Sequence, residues 1–446
     1  MSQRVKRVEA DDRLRSIVSQ TRAASQNLLI VKVYRGTPCL NKNGALGALF
    51  AITVYYFKKI HNDSNNIALK RETMANSTIS KPDKKITYAI PHEEDGGCLF
   101  LYGKPDAKHI VLTCAGFPDD HGSFGPLAQR LAKESNCLVG VTCFPGFDDR
   151  PDKPWKSHHK EGFTFNEIVA SLHEATKVLR AHSTNPEAKF TAIFHDWGCL
   201  VGLMFTNRAL MLEEDDSPDH HHHAFTPDQV VLFDVCLGAH PKATNVPVPL
   251  PKTFLYFIYD LAVQLSYRLL LAVCFLLQYY VSSKMAANLF DFGFLMLNIL
   301  QLSPVRAIDN NLSATAPPHE DAKDYKHRIT YMAYPYYYLW KVILKGKLDE
   351  DGGIVDLAGA HLPKDLTTTP VLYMYGLDKN IQFHQDDGLC LLEHEHEQGR
   401  RSNAIAVKDA GHDCINGLAQ DVLLWAACKV LAVDEVSDAF HLVVHF

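Results

Sequence analysis

The segment Phe190-Thr191-Ala192-Ile193-Phe194, His195-Asp196-Trp197-Gly198, Cys199-Leu200-Val201-Gly202-Leu203-Met204 constrains this chain more than any other. Its first run predicts a buried strand and its last run a helix. So little chain lies between them that it must turn sharply at Asp196. Such a turn belongs to a doubly wound α/β architecture with a mostly parallel sheet, and it presents a side chain where the helix amino end favours negative charge. A strand-to-helix elbow of this kind carries nucleophiles. A carboxylate attacking carbon leaves an ester that histidine-activated water must hydrolyse, which favours ring opening or halide displacement over acyl transfer. The competing explanation is an ordinary strand end with Asp196 capping the helix.

Other parts follow in a suggestive order. The strand His109-Ile110-Val111-Leu112-Thr113-Cys114 runs into Ala115-Gly116-Phe117-Pro118. Near the far end, the strand Ala404-Ile405-Ala406-Val407 precedes Asp409-Ala410-Gly411-His412-Asp413 and a helix from Gly417 to Ala426. With the elbow, these motifs resemble the epoxide-hydrolase branch of the α/β-hydrolase superfamily, over residues 85–432 with a divergent middle. The resemblance implies an α/β-hydrolase fold with an inserted helical cap. It also implies that Asp196 is the nucleophile, that His412 activates water, and that Gly116, Phe117 and Trp197 help to form the oxyanion hole. The family usually has histidine where this chain has Ala115. Backbone N–H donors of the turn do not depend on that side chain.

The acid that orients His412 has two candidates. Asp378 follows the strand Pro370-Val371-Leu372-Tyr373-Met374-Tyr375-Gly376, one residue before the family's usual position, which Lys379 occupies. Asp234 follows Val230-Val231-Leu232-Phe233, a strand end from which some relatives supply the acid. Either needs only to hydrogen-bond the ring N–H.

The formal net charge of −6 gives no basic surplus for nucleic acid. Eleven cysteines without a Cys-x-x-Cys pair, and a start lacking the apolar core of a secretory signal, suit an intracellular protein, cytoplasmic or membrane-associated. The run His220-His221-His222-His223 follows an acidic stretch and is expected in a solvated loop, so neither a catalytic metal nor a cofactor is expected.

Residues 1–80 are expected to be an extension outside the core. The apolar run Ala45–Phe57, closed by Lys58-Lys59, is shorter than the roughly 20 residues of a spanning helix and suits a shallow anchor or a helix on the domain. Met74 also allows this stretch to be an added leader. Residues 81–237 and 366–446 are expected to form the core, and 238–365 a helical cap. Phe254–Val281 is long enough to span a bilayer, but Asp260, Gln264, Arg268 and Gln278 interrupt it, which favours a lid helix over an apolar pocket. A second apolar helix is expected over Ser283–Leu302, and a cap of this kind leaves contact with a membrane surface open.

Within the cap lies Tyr331-Met332-Ala333-Tyr334-Pro335-Tyr336-Tyr337-Tyr338. The family uses lid tyrosines to bond and protonate the epoxide oxygen, and Tyr334 and Tyr338, one helical turn apart, are the expected pair. An aromatic packing seam is the alternative. The resulting expectation is hydrolysis of a hydrophobic epoxide to a vicinal diol through an aspartyl ester. Haloalkane dehalogenation is the nearest rival, since Trp197 could hold halide, although Phe117 stands where that family often has asparagine. Hydrolysis of an ester or a carbon–carbon bond, and a non-catalytic relative that binds lipid or a partner, are further alternatives.

Overall fold

Continuous apolar runs such as His109–Cys114 and Cys137–Thr142 suit strands buried on both faces, the pattern of a parallel sheet covered by helices. The computed structural model has such a sheet. It describes residues 81–90, 93–147, 162–214, 225–243, 246–247, 254–300, 302–304, 328–348, 354–377 and 381–407. All belong to one compact unit, Thr73–Phe446. The N-terminal extension, the histidine run, Asp378 and His412 lie outside the described residues.

The strands are β1 (Lys84–Ile90), β2 (Glu93–Tyr102), β3 (His109–Cys114), β4 (Cys137–Thr142), β5 (Lys189–His195), β6 (Gln229–Phe233), β7 (Val235–Cys236), β8 (Val371–Gly376), β9 (Phe383–His384) and β10 (Asn403–Val407). Eight of them form a sheet in the order β1-β2-β4-β3-β5-β6-β8-β10, and β7 pairs with β9. The β1–β2 hairpin is antiparallel and joins β4 antiparallel, whereas every pairing from β4 to β10 is parallel. The carboxyl ends of β3, β5, β6 and β8 therefore share one edge, where a doubly wound sheet places its site.

Both faces of the sheet are covered. Helix α1 (Gly125–Glu134) packs Leu127 and Leu131 with Val111, Val139, Ile193 and Phe233. Helix α2 (Phe165–His182) packs Ile168, Leu172 and Leu179 with Leu112, Leu138 and Ala192 on the other face. It starts where the sequence places a capping box: Glu167 N–H donates to Thr164 Oγ1 at 3.1 Å, and Thr164 N–H to Glu167 Oε2 at 2.7 Å. Helix α3 (Trp197–Glu214) follows β5 directly.

Between β7 and β8 the described chain is largely helical. Helices α4 (Phe254–Tyr280), α5 (Ser283–Ile299) and α6 (Tyr334–Lys345) occupy it, and α7 (Asp386–Glu397) follows β9. The two long apolar segments fold as the helices their composition predicts. In α4, Val263, Tyr267, Leu271 and Phe275 recur every four residues and are buried, while Leu261, Leu265 and Leu269 lie on an exposed face. Among the described residues α4 is the one helix long and apolar enough to cross a membrane, yet only a third of its most apolar window is buried. Helix α5 lies close against α4 because Gly293 leaves room for Leu270: a Cβ there would meet its side chain. Arg328, 2 % exposed, closes another contact by pairing with Asp120 Oδ2 at 3.4 Å in the loop after β3.

Candidate active site

Asp196 stands between β5 and α3 at φ +51°, the left-handed conformation that a sharp elbow imposes on a non-glycine residue. Small neighbours make the turn possible. A Cβ on Gly198 would lie 2.5 Å from the Cys114 carbonyl oxygen, and one on Gly202 would enter the Phe194 ring. The elbow is tied on both sides: Asp196 N–H donates to Phe233 O at 3.2 Å, and Cys199 N–H to Asp196 O at 2.9 Å.

The turn after β3 meets this carboxylate directly. Phe117 N–H donates to Asp196 Oδ2 at 2.9 Å. Gly116 permits the approach, because a Cβ there would be 2.4 Å from Trp197 N and 2.7 Å from Asp196 Oδ2. Ala115 is packed in the core, while Asp119 N–H donates to Gly116 O at 2.9 Å. Asp119 Oδ2 also lies 3.0 Å from His195 Nδ1, and its Oδ1 accepts from Ser123 Oγ at 2.8 Å. His195 thus links the strand before the elbow to the loop that follows the Gly116–Pro118 turn.

A carboxylate on a strand-to-helix elbow at the middle of this sheet, faced by a backbone donor from the turn after β3, decides the architecture. The chain has the α/β-hydrolase fold. No family model matches the sequence, and no curated protein is significantly similar to it. Solved structures similar to this hydrolase fold include an epoxide hydrolase from Vigna radiata, 13 % identical over 78 % of this chain and 98 % of that one, with a TM-score of 0.43. A loop variant of a haloalkane dehalogenase from Bradyrhizobium elkanii is 11 % identical over 78 % and 96 %, TM-score 0.45. A carboxyl esterase from Bacillus coagulans is 10 % identical over 78 % and 97 %, TM-score 0.43.

The phenols facing the elbow of this hydrolase fold differ from the expected pair. The helix breaks at Ala333, so α6 begins anew at Tyr334 with Pro335 in its first turn. Tyr334 and Tyr338 then share a face turned to the aromatic layer of the core. The Tyr334 hydroxyl donates to Pro145 O at 3.2 Å, with its ring among Phe147, Phe163 and Phe275. Tyr338 sets its ring edge-on to Phe165 and bonds Thr164; burial first, then the charges of Asp356 and Glu167, push its phenol up to about 12.

Tyr336, two residues round the helix, meets the elbow instead. Its ring lies edge-on to Phe117 at 5.1 Å and to Trp197 at 5.0 Å. Burial holds this phenol well above its ordinary range, the Asp196 charge adds to that, and a hydrogen bond from the Trp197 indole opposes it. Tyr267, on the inner face of α4, is the second phenol. It packs against Tyr336 at 5.9 Å and is likewise raised by burial and by Asp196. Sequence reasoning missed both. For Tyr336 the signal was the register that Pro335 imposes, and for Tyr267 it was the polar positions 260, 264 and 268 on an otherwise apolar helix.

Asp234 is fully buried at the end of β6, at φ +72°, with its N–H bonded to Met374 O at 2.8 Å. His195 pairs with Phe233 across β5 and β6, so Asp234 leaves the sheet beside the elbow. Strand β10 runs parallel to β8 and ends at Val407, so the chain toward His412 departs from the same edge.

Proposed function

We propose that this protein is a hydrolase that opens epoxides of apolar substrates through an aspartyl ester. The observation that carries the reading is Asp196 on its elbow, with Phe117 N–H on one carboxylate oxygen and two buried phenols, Tyr336 and Tyr267, above it. A phenol suits this position because it polarises the ring oxygen and gives up a proton without bringing a charged acid into an apolar site.

In the proposed reaction an Asp196 oxygen attacks a ring carbon, the carbon–oxygen bond breaks toward oxygen, and a phenol supplies the proton. His412 then activates water against the ester carbonyl. The Phe117 N–H that touches the carboxylate at rest becomes a donor to the oxyanion. Asp234, a buried carboxylate at the same sheet edge, orients His412, with Asp378 as the alternative. Asp234→Asn and Asp378→Asn separate them: the orienting acid is the one whose loss lets the ester accumulate.

Dehalogenation is less well supported, since the Trp197 indole that would hold halide already bonds Tyr336, and Phe117 offers no side-chain donor. The test is intact-protein mass spectrometry of His412→Gln after incubation with epoxides and haloalkanes, with Asp196→Ala as control. A mass increase equal to a whole epoxide, mapped to Asp196, is expected. An adduct formed only with loss of halide, or none from any epoxide, would overturn the proposal.

A further inference from the structure

The two phenols above Asp196 have different partners. Tyr336 receives a neutral indole N–H from Trp197. Tyr267 receives a cation: Arg268 Nε donates to its hydroxyl oxygen at 3.1 Å, and the guanidinium carbon lies 5.7 Å from the ring centroid. The Tyr267 hydroxyl donates in turn to Gln264 Oε1 at 3.4 Å, one turn back along α4. Burial works against the Arg268 charge, but Tyr267, Tyr336 and Asp196 outweigh it and strengthen the guanidinium's hold on its proton. Among the described residues Arg268 makes no ion pair with a carboxylate.

We propose that Arg268 is a positioning residue that makes Tyr267, and not Tyr336, the acid of ring opening, by stabilising the phenolate that proton transfer leaves behind. This role builds on the epoxide reading above. As the carbon–oxygen bond breaks, its electron pair stays on oxygen, which takes the Tyr267 proton, and the phenolate remains paired with the guanidinium. When water cleaves the ester to diol and carboxylic acid, the acid proton returns to the phenolate, restoring Asp196 and Tyr267. A charge-assisted hydrogen bond is about twice as strong as a neutral one, so the cation selects Tyr267 over the indole-bonded Tyr336. The charged and titratable groups facing Tyr267 are Arg268 and Asp260 on α4, Asp196 at the elbow and Tyr336 on α6.

The test places 3,5-difluorotyrosine, whose hydroxyl ionises at lower pH than that of tyrosine, at position 267 of the full chain and follows its fluorine resonance against pH. It is made alone and with Arg268→Gln or Arg268→Lys. Expected is a midpoint at least about one pH unit higher with Arg268→Gln, a tenfold loss of acidity, with Arg268→Lys in between. The same label at Tyr280, about 18 Å along the helix, should not respond. Equal midpoints for the parent and Arg268→Gln would overturn the proposal, as would a shift of equal size at position 280. Should Arg268→Gln fail to fold by circular dichroism, Arg268→Lys decides, since a midpoint unchanged from the parent refutes the hydrogen-bonded geometry. None of these titrations needs an epoxide to react. A shifted midpoint in a protein that forms no adduct would keep the Arg268 coupling and discard the reaction.

Discussion

Gly116→Ala tests whether the touching of two turns is the core of the site. The added methyl would lie 2.4 Å from Trp197 N, 2.7 Å from Asp196 Oδ2 and 2.9 Å from Gly198 N, so it meets the elbow backbone and the Asp196 carboxylate together. The first contact is about 1 Å inside ordinary van der Waals distance, and neither backbone can swing aside as a side chain would. Separating the turns by that amount lengthens the 2.9 Å bond from Phe117 N–H to Asp196 beyond hydrogen-bonding range. Losing one oxyanion donor lowers turnover by about 10²–10³, and overpacking destabilises by about 1–3 kcal/mol. The assay is single-turnover decay of the preformed ester beside urea denaturation. Gly399→Ala is the control for lost stability away from the site, because Gly399 has a positive φ (+72°), unlike Gly116, and nothing lies within 4 Å of the added carbon. Both variants should lose stability and only Gly116→Ala should hydrolyse the ester slowly. Parent-like ester hydrolysis by Gly116→Ala would refute the assignment of the turn.

Three further outcomes are expected. Tyr267→Phe removes the proposed proton donor and should slow ring opening by about 10²-fold without unfolding the protein, whereas Tyr336→Phe should slow it less, both read as adduct formation in the His412→Gln background. Arg328→Met strands Asp120 and should cost about 3 kcal/mol in urea denaturation, with much of the loss recovered in Arg328→Met/Asp120→Asn; an equally unstable double variant would show that the pairing is not what holds this contact. His173 packs against Phe205, and burial, then Arg208 and Lys177, lower its pKa to about 4 from 6.5. Between those values the unfolded chain binds more protons, so stability should fall as pH drops through that window, by about 2 kcal/mol near pH 4.5. Denaturation of His173→Gln at pH 7 and 4.5 should show a smaller decline than the parent.

The sheet and the elbow were legible because their signals are local. A buried parallel strand reads as an unbroken apolar run, as in Cys137–Thr142, and the small residues Gly198 and Gly202 answer to close contacts within the elbow itself. The phenols were not legible from spacing alone. Tyr334 and Tyr338 do share a face, as a one-turn separation requires, but which face meets Asp196 is decided by the break at Ala333 and by packing against Phe147, Phe163 and Phe165, residues distant in sequence. The contact of Asp119, in the loop after β3, with His195 at the end of β5 is a similar case, since no run of residues announces it.

Helix α4 shows why composition alone reads equally as a span or as a lid, and where its polar residues add a further signal. Both need long apolar runs, and this helix is apolar on two faces for different reasons: Val263, Leu271 and Phe275 fill the interior, while Leu261, Leu265 and Leu269 stay exposed. The discriminating signal is the period of its polar residues. Asp260, Gln264 and Arg268 recur every four positions, so they form one stripe on a helix of 3.6 residues per turn instead of scattering round it. A stripe of that charge is costly against lipid and is kept only where it faces protein or a polar cavity. Here it runs beside Tyr267, with Gln264 accepting from the phenol and Arg268 donating to it. The apolar residues therefore make α4 a helix that packs on the core along one face, and two of the residues that interrupt its apolar run, Gln264 and Arg268, are the ones that bond the Tyr267 phenol.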